Sequence, residues 1–358
     1  TVAAHVPITG TQPYGVEVTA DGAHAVVGVI NDAVSSSFSV ISLATLAEVR
    51  SFASAPQGAV GFTASLGMYT YKDTYTQFAI RPDNATIVLA DTWNAQVVLY
   101  DLHTGAELAA LPTAAQPWSV DISRDGTIAV VGHTLVANAI TKLDLVARTA
   151  DTLPVTGAHS KVVRITADNQ YALVPIDNNV LFVDLATGAT AATLFTGAVG
   201  DIELSYDGKY AFVSNSLAAV IDVASKTIVA TLPLGPCDEA AVSPTDYRAV
   251  ALNNILGERV QFYHIDGAAS AVEGGVLSGA LPEGDNPHVL ALAGDEPTLV
   301  VGNQLSGNVS IVDLATGTVR AYIDTGVEVT ALATTPDGAY AVGAAGNSDT
   351  ASIVSLAT

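Results

Sequence analysis

Cysteine, basic residues, aromatics and long apolar runs are all scarce in this chain, and each scarcity closes off a class of protein. Cys237 is the only cysteine among 358 residues, so neither a disulfide framework within the chain nor a C-x-x-C metal site can form. Lys and Arg total 13 against 35 Asp and Glu, a formal charge of −22. Such a field repels phosphate backbones and anionic lipid surfaces, which argues against nucleic acid and membranes as partners. No apolar run reaches the ~18 residues of a spanning helix, so no membrane insertion is expected. Aromatic residues make up 6% of the chain although hydrophobic residues make up 49%, so its core must be built mostly from small aliphatic side chains. Helical periodicity is nowhere sustained beyond a few residues. A nucleophile elbow, a Walker loop, a dinucleotide fingerprint and a haem-attachment C-x-x-C-H are all missing. The opening "TVAAHVPITG" carries neither a basic nor an apolar leader region. Such a start fits either a mature form whose leader has been removed or a trimmed chain, and an exported location, periplasmic or extracellular, is the expectation.

What the chain has in abundance is one recurring phrase: an apolar strand, a turn built on Asp and Gly, and a second apolar strand. It reads "YGVEVTADGAHAVVGV" from 14, "FAIRPDNATIVLAD" from 78, "WSVDISRDGTIAVVGH" from 118 and "VVRITADNQYALVPID" from 162. It returns as "DIELSYDGKYAFVSNS" from 201, "EAAVSPTDYRAVALNN" from 239, "VLALAGDEPTLVVGNQ" from 289 and "TALATTPDGAYAVGAA" from 330. A third run such as "QVVLYDL" or "NVSIVDL" follows, then a fourth such as "GAELAALPT" or "GTVRAYIDTG". Short β-rich runs separated by tight turns predict four-stranded antiparallel units. One such unit cannot bury both its faces, and packing units around an axis solves this.

The expected fold is therefore all-β, a β-propeller of eight four-stranded blades forming a single domain over 1–358. Seven blades would follow if the weak copy at 236–283 were distorted or merged. The last repeat supplies three strands only, "EVTALAT", "AYAVGAA" and "ASIVSLA". Residues 1–9 resemble a fourth strand and are expected to complete that blade, closing the ring and removing its open edges.

The stretches "QPYGVEVTADG" (12–22), "DGKYAFVSNS" (207–216), "VSIVDLATGTV" (309–319), "TIVATLPLG" (227–235) and "PDGAYAVGAAGN" (336–347) resemble the YVTN-type β-propeller repeat family. The resemblance covers nearly the whole chain and implies a propeller. It implies little about activity, because the family spans surface proteins, periplasmic binders, lactonase-like enzymes and heavy subunits of amine dehydrogenases. The Gly-His and Trp-Asp signature of WD40 repeats is missing.

In a propeller, function gathers on the face where the inner strands begin, because loops on a rigid scaffold vary freely. His133, His159 and His288 map to that face, and with Asp238 they are the candidate ligands of a divalent metal. Asp201 and Glu239 are candidate acid/base carboxylates beside Lys161, since clustered carboxylates raise one another's proton affinity. The plainer reading of both groups is separate polar or ion-paired loop residues. The segment 52–74 is a long insertion expected on one rim, of the kind that forms lids or partner-binding loops. Tyr69 within it, with Tyr14, Tyr75, Trp93 and Trp118, forms a candidate aromatic patch for a ligand, a glycan or a protein.

Three functions are consistent with these features. The first is an exported scaffold or binding module that contacts a protein or glycan through its channel-mouth loops and insertion. The second is a metal-assisted hydrolase or lyase with its site at the channel mouth. The third is the partner subunit of a periplasmic redox enzyme. No cofactor beyond a divalent metal is suggested.

Overall fold

The computed structural model describes residues 1–31, 35–55, 77–134, 140–155, 162–197, 199–215, 219–231, 239–242, 248–253, 259–264, 276–277, 287–293, 298–314, 316–326, 328–346 and 348–357. For 215, 239, 248–253, 259–264, 276–277 and 288 it describes the backbone alone.

All regular structure among the described residues is β. Blade 1 holds β2 to β5 (Gln12–Val18, His24–Ile30, Ser36–Ser42, Ala47–Ser54), and blade 2 holds β6 to β9 (Phe78–Ile80, Thr86–Asp91, Gln96–Asp101, Glu107–Pro112). Blade 3 holds β10 to β13 (Pro117–Ile122, Ile128–His133, Ile140–Asp144, Thr149–Leu153), and blade 4 holds β14 to β17 (Arg164–Ile165, Tyr171–Ile176, Asn179–Asp184, Thr190–Phe195). Blade 5 holds β18 to β21 (Val199–Leu204, Tyr210–Asn215, Ala219–Asp222, Thr227–Thr231). Blade 6 holds β22 to β25 (Glu239–Val242, Arg248–Asn253, Arg259–His264, Val276–Leu277), and blade 7 holds β26 to β29 (Pro287–Ala293, Thr298–Asn303, Asn308–Asp313, Thr318–Asp324). Blade 8 joins β30, β31 and β32 (Ala331–Thr334, Tyr340–Ala344, Thr350–Ser355) to β1 (Val2–Pro7). The eight-bladed expectation holds among the described residues. The weak copy at 236–283 keeps its own sheet, with an outer strand of two residues.

Burial follows strand position within a blade. The second strand of blade 1, "HAVVGVI", is buried at five consecutive residues, because neighbouring blades cover both of its faces. The outer strand "AEVRSFAS" has only exposed and half-buried residues, since one of its faces meets solvent. Small residues let blades approach closely. A Cβ on Gly302 would lie 2.6 Å from Val289 Cγ2 and 2.8 Å from Val329 Cγ1.

The turns after the inner strands repeat one hydrogen-bonding device. Thr19, Ser123, Thr166 and Ser205 each donate a hydroxyl to the Asp two residues on, at 2.6, 2.7, 2.6 and 2.8 Å. Each hydroxyl oxygen in turn accepts the backbone N–H that opens the second strand. This is the physical content of the recurring T/S-x-D phrase, a side chain that closes its own turn. Gly208 follows one of these Asp residues at φ +73°, and a Cβ there would collide with Ala167 of blade 4 at 2.4 Å.

The ring closes as expected. β1 pairs antiparallel with β32, from Val2 opposite Val354 to Pro7 opposite Thr350. Ile8 N–H donates to Asp349 O at 2.9 Å, and Ser355 N–H donates to Thr1 O at 2.9 Å. Val6, 2% exposed, packs in one cluster with Val342, Ala351 and Ile353. The insertion begins later than the sequence suggests. Phe52–Ser54 end β5, and the Phe52 ring stacks on Phe38 and Tyr100. Residues 56–74 lie outside the described residues.

Candidate functional site: channel and rim

The eight inner strands enclose a cavity of about 570 Å³ on the ring axis. One repeat position recurs on all eight: it carries Glu17, Ala79, Asp121, Arg164, Glu203, Ala241, Ala291 and Ala333 in ring order. Blades 1, 3, 4 and 5 thus put charge at one level of the channel, and blades 2, 6, 7 and 8 put alanine there. The apolar wall is filled out by Phe78, Ile80, Val242 and Leu290.

Arg164 is the hub of the charged wall. Its Nη2 lies 2.5 Å from Glu203 Oε1 and 3.5 Å from Asp201 Oδ1, while Nη1 donates to Val163 O at 3.1 Å. Asp121 Oδ2 accepts Ile165 N–H at 2.6 Å, tying the inner strand of blade 3 to that of blade 4. Burial opposes the guanidinium charge, but Glu203, Asp201 and Asp121 outweigh it and hold the Arg164 proton more tightly than usual. Burial raises Asp121 to about 6, against the opposing pull of Arg164 and the Ile165 N–H. Burial likewise raises Glu17 to about 7, with Arg164 opposing and Asp121 and Glu203 adding.

The expected catalytic carboxylate Asp201 does not sit in a loop at the mouth. It lies within β18 at 2% exposure, its Oδ1 accepting Ile202 N–H at 2.8 Å and facing Arg164. His133 is likewise no loop residue. It ends β11 fully buried, with Nδ1 3.0 Å from Ala115 O and Nε2 2.9 Å from Thr141 Oγ1. Both ring nitrogens are taken up within blade 3, and burial lowers the His133 pKa. Among the described residues, no three His, Cys, Asp or Glu side chains gather as a metal set. Lys161, His159, Asp238, Tyr69 and Tyr75 lie outside the described residues, as do the side chains of Glu239 and His288.

The aromatic candidates divide between channel and rim. Tyr14 lies in β2 and lines the cavity, and burial raises its phenol pKa. Trp93 stands on the rim, 55% exposed, in the turn between β7 and β8. Asp91 beneath it is fully buried and accepts Trp93 N–H at 3.2 Å, Asn94 N–H at 3.1 Å, Asn94 Nδ2 at 2.7 Å and Gln96 Nε2 at 2.8 Å. Thr92 Oγ1 donates to Pro117 O at 2.6 Å, which sets this turn beside the strand that carries Trp118. The geometry thus sets the Trp93 turn beside the start of the strand that carries the half-buried Trp118, and leaves Tyr14 inside the channel.

Comparison with known proteins agrees with the architecture. No family model and no curated protein sequence matches the chain. The structure resembles a chain of Kuenenia stuttgartiensis hydrazine synthase, with a TM-score of 0.63 and 18% identity, covering 99% of this chain and 98% of that one. It also resembles the Myceliophteria thermophila Cps50 (Swd1) β-propeller domain, with a TM-score of 0.65 and 9% identity, covering 100% and 99%. At these identities the likeness shows the fold.

Proposed function

We propose that this chain is a YVTN-type propeller that serves as an exported binding scaffold, docking a protein or glycan partner on the rim around Trp93. The observation that carries this reading is the placement of Trp93, a large aromatic left 55% exposed on a turn held by a buried carboxylate. An exposed tryptophan on a turn held by hydrogen bonds offers a large contact area on a fixed backbone, and tryptophan is enriched in binding hot spots. The candidate reactive groups behave differently. His133 and Asp201 spend their polar atoms on structural partners, which removes the support for a channel-mouth hydrolase that relies on them. The partner-subunit reading draws on the end-to-end likeness to a hydrazine synthase chain, and it uses the same face, since a scaffold subunit also docks through its rim.

The chain contains two tryptophans, so Trp118→Phe leaves Trp93 as the sole indole reporter. Titrating that protein with defined oligosaccharides, and with proteins co-purified from the native source, should shift or quench its emission at saturation. Trp93→Ala in the otherwise native chain should weaken the same partner by about tenfold or more. Equal affinity of the Trp93→Ala protein for a partner that saturates the native one would sink the rim reading.

A further inference from the structure

The channel cluster is unbalanced in a way the rim reading does not use. Four carboxylates, Glu17, Asp121, Asp201 and Glu203, face one guanidinium, Arg164, from three other blades. Asp201 and Glu203 share Arg164, and Asp121 has a backbone N–H. Glu17 reaches across from blade 1 and meets the others through charge alone. The elements packed against β2 are β3, β6, β30 and β31. They line the channel with Phe78, Ala79, Ile80 and Ala331–Thr334, none of which is charged. His24 of β3 lies at the far end of the blade beside His103, and Tyr340 of β31 packs in the core against Val342 and Ile353. Asp121 has Arg164 on its β14 side. Asp91 of β7 and His133 of β11, both fully buried, are engaged in their own hydrogen bonds.

We propose that this cluster is a proton-operated clamp on the ring: proton uptake by Glu17 and Asp121 relieves the repulsion between blade 1 and blades 3 to 5 across the channel, and proton release restores it. With all five groups ionised, the cluster carries four negative charges against one positive. Protonating Glu17 and Asp121 leaves Arg164 with its two direct partners and makes Glu17 a hydrogen-bond donor. The sign follows from linkage. An acid held above its unfolded value binds protons more readily folded than unfolded, so folding stability falls as pH rises between the two values. For Glu17 that window runs from 4.5 to about 7, and for Asp121 from 3.8 to about 6. These two groups therefore favour the folded ring most in mild acid and least above neutrality.

Thermal melting of the native chain, Glu17→Gln, Asp121→Asn and a surface control, Asp151→Asn, at pH 8, 6.5 and 5 tests the clamp. Glu17→Gln should melt roughly 2–5 °C above the native chain at pH 8, and the gap should close by pH 5. Asp121→Asn should behave alike, its gap closing at lower pH. The control should show no gap that changes with pH. A constant gap for Glu17→Gln, no gap at pH 8, or an equal pH-dependent gap in the control would overturn the proposal. Carboxyl carbon NMR of the native chain gives a readout independent of variant folding. It should show a group titrating near 7, and its absence would also overturn the clamp.

Discussion

Asp91 is wholly buried, yet its carboxylate accepts four hydrogen bonds from the three residues Trp93, Asn94 and Gln96 that follow it. The charge is tolerated because it is fully solvated by the protein's own donors. Asp91→Ala would strand those donors, and we expect a loss of about 2–4 kcal/mol of stability in urea unfolding, with a red-shifted, more mobile Trp93 emission. Unchanged Trp93 fluorescence anisotropy in that variant would show that the turn holds itself. Some of this was visible in the sequence. Asp91 and Trp93 both map to one loop from their place in the repeat, but which of them is buried depends on the direction each side chain takes from the turn. His133 makes the same point in reverse. Its repeat position suggested a loop ligand, while in the fold it is the last residue of β11, buried with its Nε2 on Thr141.

Strands rather than side chains decide whether the ring holds. β1 and β32 are separated by nearly the whole chain, yet pair along five registered residue pairs. Closing so long a loop costs entropy that no local contact repays, so the ladder and the burial of Val6 and Ile8 must offset it. Deleting residues 1–9 exposes the edge of β32 and uncovers the cluster around Ile353. We expect a fall of at least ~5 kcal/mol in unfolding free energy, together with concentration-dependent association through the new edge. Calorimetry and light scattering on the truncated chain check both, and a melting point equal to that of the native chain would refute the closure energetics. This element was legible in advance because a three-strand remainder at one end and a lone strand at the other have one geometric solution. The insertion starts later than its composition suggests for a related reason. Phe52 looks like loop composition in sequence, but it belongs to a cluster with Phe38, Phe78 and Tyr100 that only neighbouring strands assemble.

At the scale of the molecule, a formal charge of −22 spreads over a closed ring and opposes compaction. Salt at about 0.10–0.15 M screens exposed charges more than about 8–10 Å apart, and more salt shortens that reach, so sodium chloride raised from about 0.02 to 0.5 M at pH 8 should lift the melting temperature. The Arg164 network is partly shielded from that effect, because the Arg164 side chain is 16% exposed, Asp201 2% and Glu203 30%. The salt increment should therefore be nearly the same in Glu17→Gln as in the native chain. A melting temperature that falls with salt would mean that exposed ion pairs, such as Arg320 with Asp313 at 2.7 Å, outweigh the net repulsion.

By itself the sequence determined the blade: the alternation of apolar runs, the T/S-x-D turn and the eightfold recurrence follow from local hydrogen bonding and from strands that need two covered faces. It also carried the channel charges, in plain view, as Glu17, Asp121, Arg164 and Glu203 at one repeat position. What it did not reveal is that these four meet. Each looks like an ordinary polar residue in its own strand, and a single repeat has no centre. Only closure of the ring points that position inward from every side, around one cavity, and turns scattered charges into one coupled group.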